Sequence, residues 1–168
     1  ILCSEKFAKA HTKNYVQVIG SGRGGSPAAL QGRDHITTIP STRIAAQAAY
    51  KMAGISPKDV DFAEVHDCFT IAELVDTEDL WFFEKGKAVV AVREGRTKLN
   101  GDISINPSGG LKSKGHPIGA TGIGQVAEVF DQLTGKAGER TVKDAKIGLT
   151  HNFGATGASC AVHIFKSV

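Results

Sequence analysis

The chain has 168 residues, of which 41% are hydrophobic and 22% are charged, and its formal net charge is +3. A chain of this length forms one domain and can bury a core of its own. The small positive charge would help to attract a phosphate-bearing ligand but is far below that of a nucleic-acid-binding protein, and no apolar run approaches the roughly 18 residues of a membrane span. We therefore expect neither a nucleic acid nor a membrane as a partner.

The three cysteines, Cys3, Cys68 and Cys160, are odd in number and widely spaced. This pattern supports neither a disulfide framework nor a zinc ribbon, and reduced thiols fit a cytoplasmic location. No spacing of His, Cys or Asp repeats, so we expect no metal site. The start lacks a signal-peptide pattern, and residues 1–3 resemble the end of a strand. We interpret the chain as a piece of a longer protein.

The hydrophobic pattern predicts strands that alternate with helices. In chain order these are a buried strand over residues 15–19, a helix over 41–52 that Gly54 stops, a strand over 60–65, a helix from about 69, a helix over 119–133, and strands over 146–151 and 158–165. Residues 84–108 give no clear assignment. The alternation predicts an α/β layered domain. The short glycine-rich turn between the last two strands predicts an antiparallel pair and a mixed sheet.

The predicted helix over residues 41–52 has a regular apolar pattern. Ile44, Ala48 and Met52 recur at helical spacing, with Ala45 and Ala49 beside them. Apolar residues at this spacing form one face of an amphipathic helix.

Residues 20–25 match the dinucleotide-binding pattern G-x-G-x-x-G and follow a predicted strand. That pattern binds a pyrophosphate only where a helix begins in it, because the helix N-terminus holds the phosphates. Here Pro27 and Gly32 follow, and the next predicted helix begins at Ser41. A nicotinamide-binding oxidoreductase domain is therefore a minor alternative, and we predict a mobile loop that borders a ligand.

His66, Asp67 and Cys68 lie where a predicted strand ends and a helix begins. Ligands of open α/β sheets bind at the carboxyl ends of strands. A cysteine in the first turn of a helix feels the positive end of the helix dipole, and a nearby histidine adds to this effect, so we predict a lowered pKa for Cys68. The alternative is a small buried thiol beside an aspartate that caps the helix.

His116 lies on a glycine-dense turn over residues 109–122. Glycines let the backbone adopt positive φ and approach a ligand closely, and Pro117 fixes the chain direction after the histidine. Special turns of this kind gather at functional sites, so we predict a functional role for His116. A third glycine-rich turn follows His151; its backbone N–H groups could stabilise an oxyanion, and the alternative is a plain hairpin turn.

Residues 115–122 read Gly-His-Pro-Ile-Gly-Ala-Thr-Gly, and this run resembles the G-H-P-x-G-A-[ST]-G signature of thiolases. The order of weaker pieces is also similar, with residues 39–43 before a helix and a glycine turn near the end. The resemblance covers residues 13–168 and corresponds to the C-terminal half of a thiolase. Residues 1–12 would then be the tail end of an N-terminal half, and no lipid-carrier domain is expected after Val168.

Two departures from ordinary thiolases indicate a subgroup. Residues 66–69 read His-Asp-Cys-Phe where ordinary thiolases carry Asn-Glu-Ala-Phe, and residues 151–153 read His-Asn-Phe where they carry a late Cys-x-Gly. Both departures resemble the sterol-carrier-protein-type thiolases and their archaeal relatives. The archaeal relatives form acetoacetyl-CoA beside a hydroxymethylglutaryl-CoA synthase. The resemblance therefore implies such a partner, and it also implies a homo-oligomer.

The resemblance implies a layered fold with a five-stranded mixed sheet and helices on both faces. It implies acyl transfer, either Claisen condensation of acetyl-CoA to acetoacetyl-CoA or thiolysis in reverse, with the coenzyme A thioester as substrate and no cofactor. The family's nucleophilic cysteine lies in the N-terminal half, so that half is an implied partner; Cys3 lacks the nucleophile's surroundings. The alternative is a non-catalytic scaffold or an acyl-CoA-binding subunit.

The resemblance also implies roles for single residues. Cys68 would be the base that takes a proton from the acyl group, and the acid in the reverse direction. His66 would donate to the thioester oxygen or hold a water that does, and His116 would activate the nucleophile. The backbone at Phe153 and Gly154 would contribute to a second oxyanion hole.

The substrate would be held by further residues. Thr42 aligns with a position that contacts the pantetheine arm in thiolases, and the backbone at Gly109 and Gly110 would approach the substrate. Three basic residues are possible charge partners of the phosphates. They are Arg23, Arg33 and Lys112.

Overall fold

A five-stranded mixed sheet forms the centre of the computed structural model, which describes residues 1–168. The strands are β1 (Val16–Gly25), β2 (Phe62–Glu64), β3 (Ser104–Ile105), β4 (Ile147–Gly154) and β5 (Ser159–Ser167). They lie in the order β1-β5-β4-β2-β3. β1 and β4 run antiparallel to β5 between them, whereas β4, β2 and β3 run parallel to one another. The predicted α/β class, the mixed sheet and the antiparallel last pair are confirmed.

Helices cover both faces of this sheet. They are α1 (Glu5–His11), α2 (Pro40–Ala53), α3 (Thr70–Asp79), α4 (Ala88–Arg93), α5 (Gly110–Lys114) and α6 (Thr121–Leu133), with 3₁₀ turns at Leu30–Gly32, Pro57–Asp59 and Gly138–Arg140. On β5, Val162 and Ile164 join the main core cluster with α2, whereas Phe165 joins a second cluster with Val129 of α6. Because side chains alternate along a strand, the two clusters lie on opposite faces. The predicted layered arrangement is therefore confirmed.

Glycine occupies alternate positions in the second half of β1. A Cβ atom on Gly20, Gly22 or Gly24 would lie 2.5, 1.9 or 2.0 Å from a backbone oxygen of α2. Only residues without a side chain let the helix backbone lie directly on the strand. The predicted mobile loop over residues 20–25 is therefore wrong: the segment is strand. No helix begins there to hold a pyrophosphate, so the dinucleotide alternative loses its basis.

α2 turns small residues toward β1, whereas two of its large apolar residues are exposed. Ala45 and Ala49 are fully buried, whereas Ile44 and Met52 are 50% and 65% exposed. Since the glycine strand leaves room only for short side chains, the alanines meet β1 and the longer apolar residues point away. The apolar face indicated by the spacing of Ile44 and Met52 is thus not the buried face. The predicted end of the helix at Gly54, where φ is +67°, is confirmed.

Two segments outside the centre of the sheet differ from their expected form. Residues 1–3 form no strand; instead Ser4 caps α1, and Cys3 is exposed. The unassigned residues 84–108 contain α4 and β3, and β3 is an edge strand of the sheet. No helix is both long enough and apolar enough to cross a membrane.

Candidate active site

Three parallel strands end at the same edge of the sheet. β2 ends at Glu64 and α3 begins at Thr70, so His66, Asp67 and Cys68 occupy the connection after this strand. β3 leads into the loop that carries α5, and β4 ends beside them. Because segments that follow parallel strands lie side by side, this edge is where open α/β sheets bind ligands.

His66 and His116 face each other across this edge. Their ring centroids are 4.9 Å apart, and the ring planes are nearly perpendicular, at 81°. The ring of Phe153 lies 4.6 Å from that of His66. His66 is only 5% exposed, whereas His116 is exposed. The structure thus brings together the two histidines that the sequence placed on separate turns.

The ring of His116 is held by the first residue of α6. Its Nδ1 lies 2.7 Å from Thr121 Oγ1, and the same hydroxyl donates to the Pro117 carbonyl at 3.3 Å. Since the hydroxyl has one proton, its oxygen accepts from the Nδ1–H of His116. This hydrogen-bond pattern assigns the tautomer. In the neutral form of the ring, this arrangement makes Nε2 the acceptor nitrogen of His116.

Burial controls the protonation of His66. Burial, reinforced by the neighbouring His116, lowers the pKa of His66 to about 4, against a smaller upward effect of Asp67. The ring is therefore neutral at pH 7 and has one N–H to donate. Its Nδ1 is buried without a hydrogen-bond partner within the protein. A buried polar atom of this kind gains free energy when a bound group completes its hydrogen bond.

Cys68 lies before α3 rather than in its first turn, because Phe69 is the N-cap and Thr70 the first helical residue. Burial raises the pKa of Cys68, and a hydrogen bond from the Phe69 backbone opposes this effect only in part. The predicted lowering of the Cys68 pKa is therefore wrong. The thiol is outside the helix, and the neutral ring of His66 adds no positive charge.

Three fully buried polar side chains, those of His151, Thr42 and Asp76, lie beside Phe153. The ring centroids of His151 and Phe153 are 5.8 Å apart. Nε2 of His151 is 2.9 Å from Thr42 Oγ1, and Nδ1 is 3.6 Å from Asp76 Oδ2. Burial lowers the pKa of His151 to about 3 and raises that of Asp76. The side chain of Thr42 has no exposed surface and is paired with His151, and its contact with the pantetheine arm stays a prediction.

The two predicted substrate-binding glycines have different surroundings. Gly110 is buried, and a Cβ atom there would lie 2.3 Å from Asp67 Oδ2. A carboxylate of the protein thus occupies the side on which a Cβ would lie, and a contact of the Gly110 backbone with substrate stays a prediction. Gly109 is exposed, with φ of +91°, and its contact with substrate stays a prediction.

Phe153 and Gly154 are the last two residues of β4 and pair with β5. They are thus strand rather than turn residues, and their oxyanion role stays a prediction. Of the three basic candidates, Arg33 donates to the carbonyl of Thr156, whereas Arg23 and Lys112 are exposed. No three side chains of His, Cys, Asp or Glu gather closely enough to hold a metal ion.

The fold and the paired histidines define an α/β domain with acid–base groups at the carboxyl edge of its sheet. The model of the thiolase C-terminal domain-like family matches residues 22–167, so the chain belongs to that family. The resemblance drawn from residues 115–122 is confirmed.

Similar proteins come from the archaeal and sterol-carrier-protein groups. Acetyl-CoA acetyltransferase of Methanothermobacter thermautotrophicus is 51% identical over 166 residues, which are 99% of this chain and 43% of that protein. The protein of the same name from Methanocaldococcus jannaschii is 40% identical, with 99% and 44% covered. Sterol carrier protein 2 of Oryctolagus cuniculus is 39% identical, with 99% and 31% covered. The chain thus spans less than half the length of these relatives.

A solved structure shares the fold. A chain of the Ltp2-ChsH2(DUF35) aldolase superposes with a TM-score of 0.78 at 22% sequence identity, over 90% of this chain and 39% of that one. At this identity the likeness concerns the arrangement of strands and helices alone.

Proposed function

We propose that this chain is the C-terminal catalytic portion of a thiolase that acts on coenzyme A thioesters, either condensing two acetyl-CoA or cleaving acetoacetyl-CoA. In this proposal an N-terminal portion supplies the nucleophilic cysteine. The observation that carries the proposal is the pair formed by His66 and His116, whose ring centroids are 4.9 Å apart at the carboxyl edge of the sheet.

The difficult step of such a reaction is the formation of a carbanion next to a thioester. It needs a base near the α-carbon and hydrogen-bond donors aimed at the thioester oxygen. His66 fits the donor role, because its ring is neutral and has an N–H to give. It would donate to the oxygen directly or through a water.

Cys68 would move the proton at the α-carbon. In the direction of cleavage the carbanion needs an acid, and the raised pKa of Cys68 keeps the thiol protonated for this role. In the direction of condensation the thiolate must remove a proton from carbon. A thiolate with a raised pKa is the stronger base, since basicity follows pKa. The raised pKa therefore suits both directions better than the lowered one we predicted.

His116 would act on the nucleophile. The hydrogen bond to Thr121 leaves Nε2 free to accept the proton of an approaching thiol. The exposure of His116 allows a group from another segment to reach it. Activation of a thiol by a neighbouring imidazole is the usual arrangement for nucleophilic cysteines.

Further proposals follow from the same resemblance. We propose a homo-oligomer in the cytoplasm that works with a hydroxymethylglutaryl-CoA synthase. The three cysteines are all unpaired thiols, which is consistent with a reducing compartment. A second candidate function is acyl-CoA binding without catalysis. It is favoured by the 39% identity with a protein whose name denotes sterol carrying rather than acyl transfer, sterol carrier protein 2 of Oryctolagus cuniculus.

A chimera tests the proposal. The matching part of the Methanothermobacter thermautotrophicus relative would be replaced by this chain, and acetoacetyl-CoA thiolysis measured. We expect activity, a loss of at least about 10²-fold in Cys68→Ala, as for removal of an acid–base group, and no loss in the control Cys3→Ala. A chimera that binds acetyl-CoA but is inactive would favour the second candidate, and an active Cys68→Ala would remove Cys68 from the mechanism.

A further inference from the structure

α5 precedes His116 in the chain and contacts the segment that carries His66. It spans only five residues, Gly110–Lys114, and His116 follows its end almost at once. A helix of this length is not stable by itself in water. Whatever holds α5 in place therefore determines the position of the His116 ring together with the hydrogen bond from that ring to Thr121 of α6.

The beginning of α5 is held by Asp67. Oδ1 of Asp67 accepts the Leu111 N–H at 2.8 Å, and Oδ2 accepts the Lys112 N–H at 3.4 Å. The sequence suggested that Asp67 caps the helix that follows it; instead it caps a helix 44 positions further along the chain. The side chain is buried, with 3% exposure. Hydrogen bonds from N–H groups to a buried carboxylate are among the strong ones in proteins.

Gly110, the first residue of α5, has no side chain and so leaves room for this carboxylate. Gly110 has φ of +65°, and a Cβ atom there would lie 2.3 Å from Asp67 Oδ2. Glu64, at the end of β2, makes a second connection to the same loop. Its carboxylate accepts the Ser108 N–H at 3.0 Å and lies 3.5 Å from Lys114 Nζ. Both attachments come from the segment that also carries His66.

We propose that Asp67 is a positioning residue that, through α5, sets the place of His116 relative to His66. The inference rests on the proposed function, because the spacing of the two rings matters for catalysis only if both act on one thioester. Asp67 directly follows His66 and directly precedes Cys68. The carboxylate of Asp67 thus fixes the segment of His66 and Cys68 relative to the segment of His116.

The charge of Asp67 has a separate, weaker effect. It contributes to raising the pKa of Cys68 and opposes the lowering of the pKa of His66. Removal of the charge with retention of one acceptor oxygen should therefore shift the Cys68 pKa downward. Partial unfolding that exposes the thiol would also lower this pKa, so the shift reports the charge effect only in a variant whose circular dichroism and urea unfolding match those of wild type.

The test uses the chimera described above and three variants. Asp67→Ala should lower kcat about 10²-fold, the cost of misplacing a catalytic group by about 1 Å, with KM within about twofold. Asp67→Asn keeps an oxygen for the Leu111 N–H and should stay within about tenfold of the wild-type kcat. The matched control is Asp61→Ala, because Asp61 also accepts two backbone N–H groups, from Lys146 and Ile147, but lies at the other end of the sheet.

Three results would overturn the proposal: an Asp67→Ala kcat within about threefold of wild type, an equal loss in Asp67→Asn, or an equal loss in Asp61→Ala. The pH dependence of Cys68 alkylation, measured in a Cys3→Ser background, gives the sign of the charge effect. A midpoint that moves up in Asp67→Asn would also contradict the account. If Asp67→Ala does not fold, Asp67→Ser takes its place, since a serine is too short to reach α5.

A readout without activity separates this inference from the proposed function. The ring protons of His66 and His116 should give a nuclear Overhauser effect in the chain itself. We expect it in the wild type and in Asp61→Ala, and its loss in Asp67→Ala. If the wild-type chimera is inactive but the nuclear Overhauser effect follows the expected pattern, the proposed function alone is contradicted. If the nuclear Overhauser effect persists in Asp67→Ala, the positioning role of Asp67 is contradicted.

Discussion

Glycine permits close approach in two regions of this protein, but the group it admits differs between them. In the contact between β1 and α2, a Cβ atom on Gly22 would lie 1.9 Å from the backbone oxygen of Ala45. At α5, a Cβ atom on Gly110 would lie 2.3 Å from a carboxylate oxygen of Asp67. A backbone oxygen within a helix moves only with the helix, whereas a carboxylate can turn on its side chain. The first contact is therefore rigid scaffold, and the second is an adjustable connection within the site.

The largest effect is expected from Gly22→Ala. The new methyl group would force α2 away from β1, and we expect a loss of about 4 kcal/mol in the free energy of unfolding, at the upper end for overpacking. Urea unfolding followed by circular dichroism measures this loss. The control is Gly25→Ala in the same strand, where the nearest atom to a Cβ is 3.9 Å away. A loss of less than about 1 kcal/mol in Gly22→Ala would show that the contact is not rigid.

Acidification should affect the site region and leave the β1–α2 contact alone, since Gly22 and Ala45 cannot titrate. Burial lowers the pKa of His66 from 6.5 to about 4. The unfolded chain thus binds a proton at this position below about pH 6.5, whereas the folded chain binds it only below about pH 4. The contribution of His66 to the free energy of unfolding is therefore fully present above pH 6.5 and is lost as the pH falls. We expect His66 to account for a loss of about 3 kcal/mol in the free energy of unfolding between pH 7 and pH 4.

His66→Asn isolates this contribution. We expect the stability of the variant to fall by about 3 kcal/mol less than that of wild type over the same pH range, as measured by urea unfolding at a series of pH values. His35→Asn is the control for the loss of an imidazole, because His35 is exposed. A pH dependence that is the same in His66→Asn and wild type would mean that His66 is not buried in its neutral form.

The adjustable contact is tested by two glycines with nearly the same backbone angle. Gly110 has φ of +65° beside Asp67, and Gly54 has φ of +67° with no atom within 4 Å of a Cβ. We expect Gly54→Ala to cost about 1 kcal/mol, the strain of a left-handed alanine, and Gly110→Ala about 2 kcal/mol, because Asp67 must also turn. If Gly110→Ala costs as much as Gly22→Ala, the two regions do not differ as we describe.

Part of the site could be predicted because its position follows from chain order. His66 and Cys68 follow a predicted strand, and the carboxyl ends of parallel strands are where open α/β sheets bind ligands. That His116 acts beside them is implied only by the resemblance to thiolases, because the strand that precedes its turn, β3, lies in the segment without a predicted assignment. The alternation of Gly20, Gly22 and Gly24 also contained the signal for a strand, since alternate residues face one side. The match of the same residues to a phosphate-binding pattern favoured a loop instead of a strand.

Other features depend on burial and on contacts that no local pattern shows. The sign of the Cys68 pKa shift required the start of α3 and the burial of the thiol. The pairing of Thr42 with His151 joins residues 109 positions apart, and Asp67 caps α5 instead of the helix after it. These contacts are set by how elements pack, and a single sequence gives only the spacing within each element.

The smallest expected effect tests the two faces of α2. Ile44→Ser should change the free energy of unfolding of this chain by less than about 0.5 kcal/mol, because the side chain is 50% exposed and its helix is held by its other face. Ala45→Ile, one position along, should cost about 2–3 kcal/mol, because Ala45 is fully buried against β1. Thermal and urea unfolding of both variants would measure the contrast. The apolar spacing of the sequence favours the opposite order, with the loss at Ile44 the larger, so the ranking decides whether the glycine strand or the hydrophobic pattern selects the buried face.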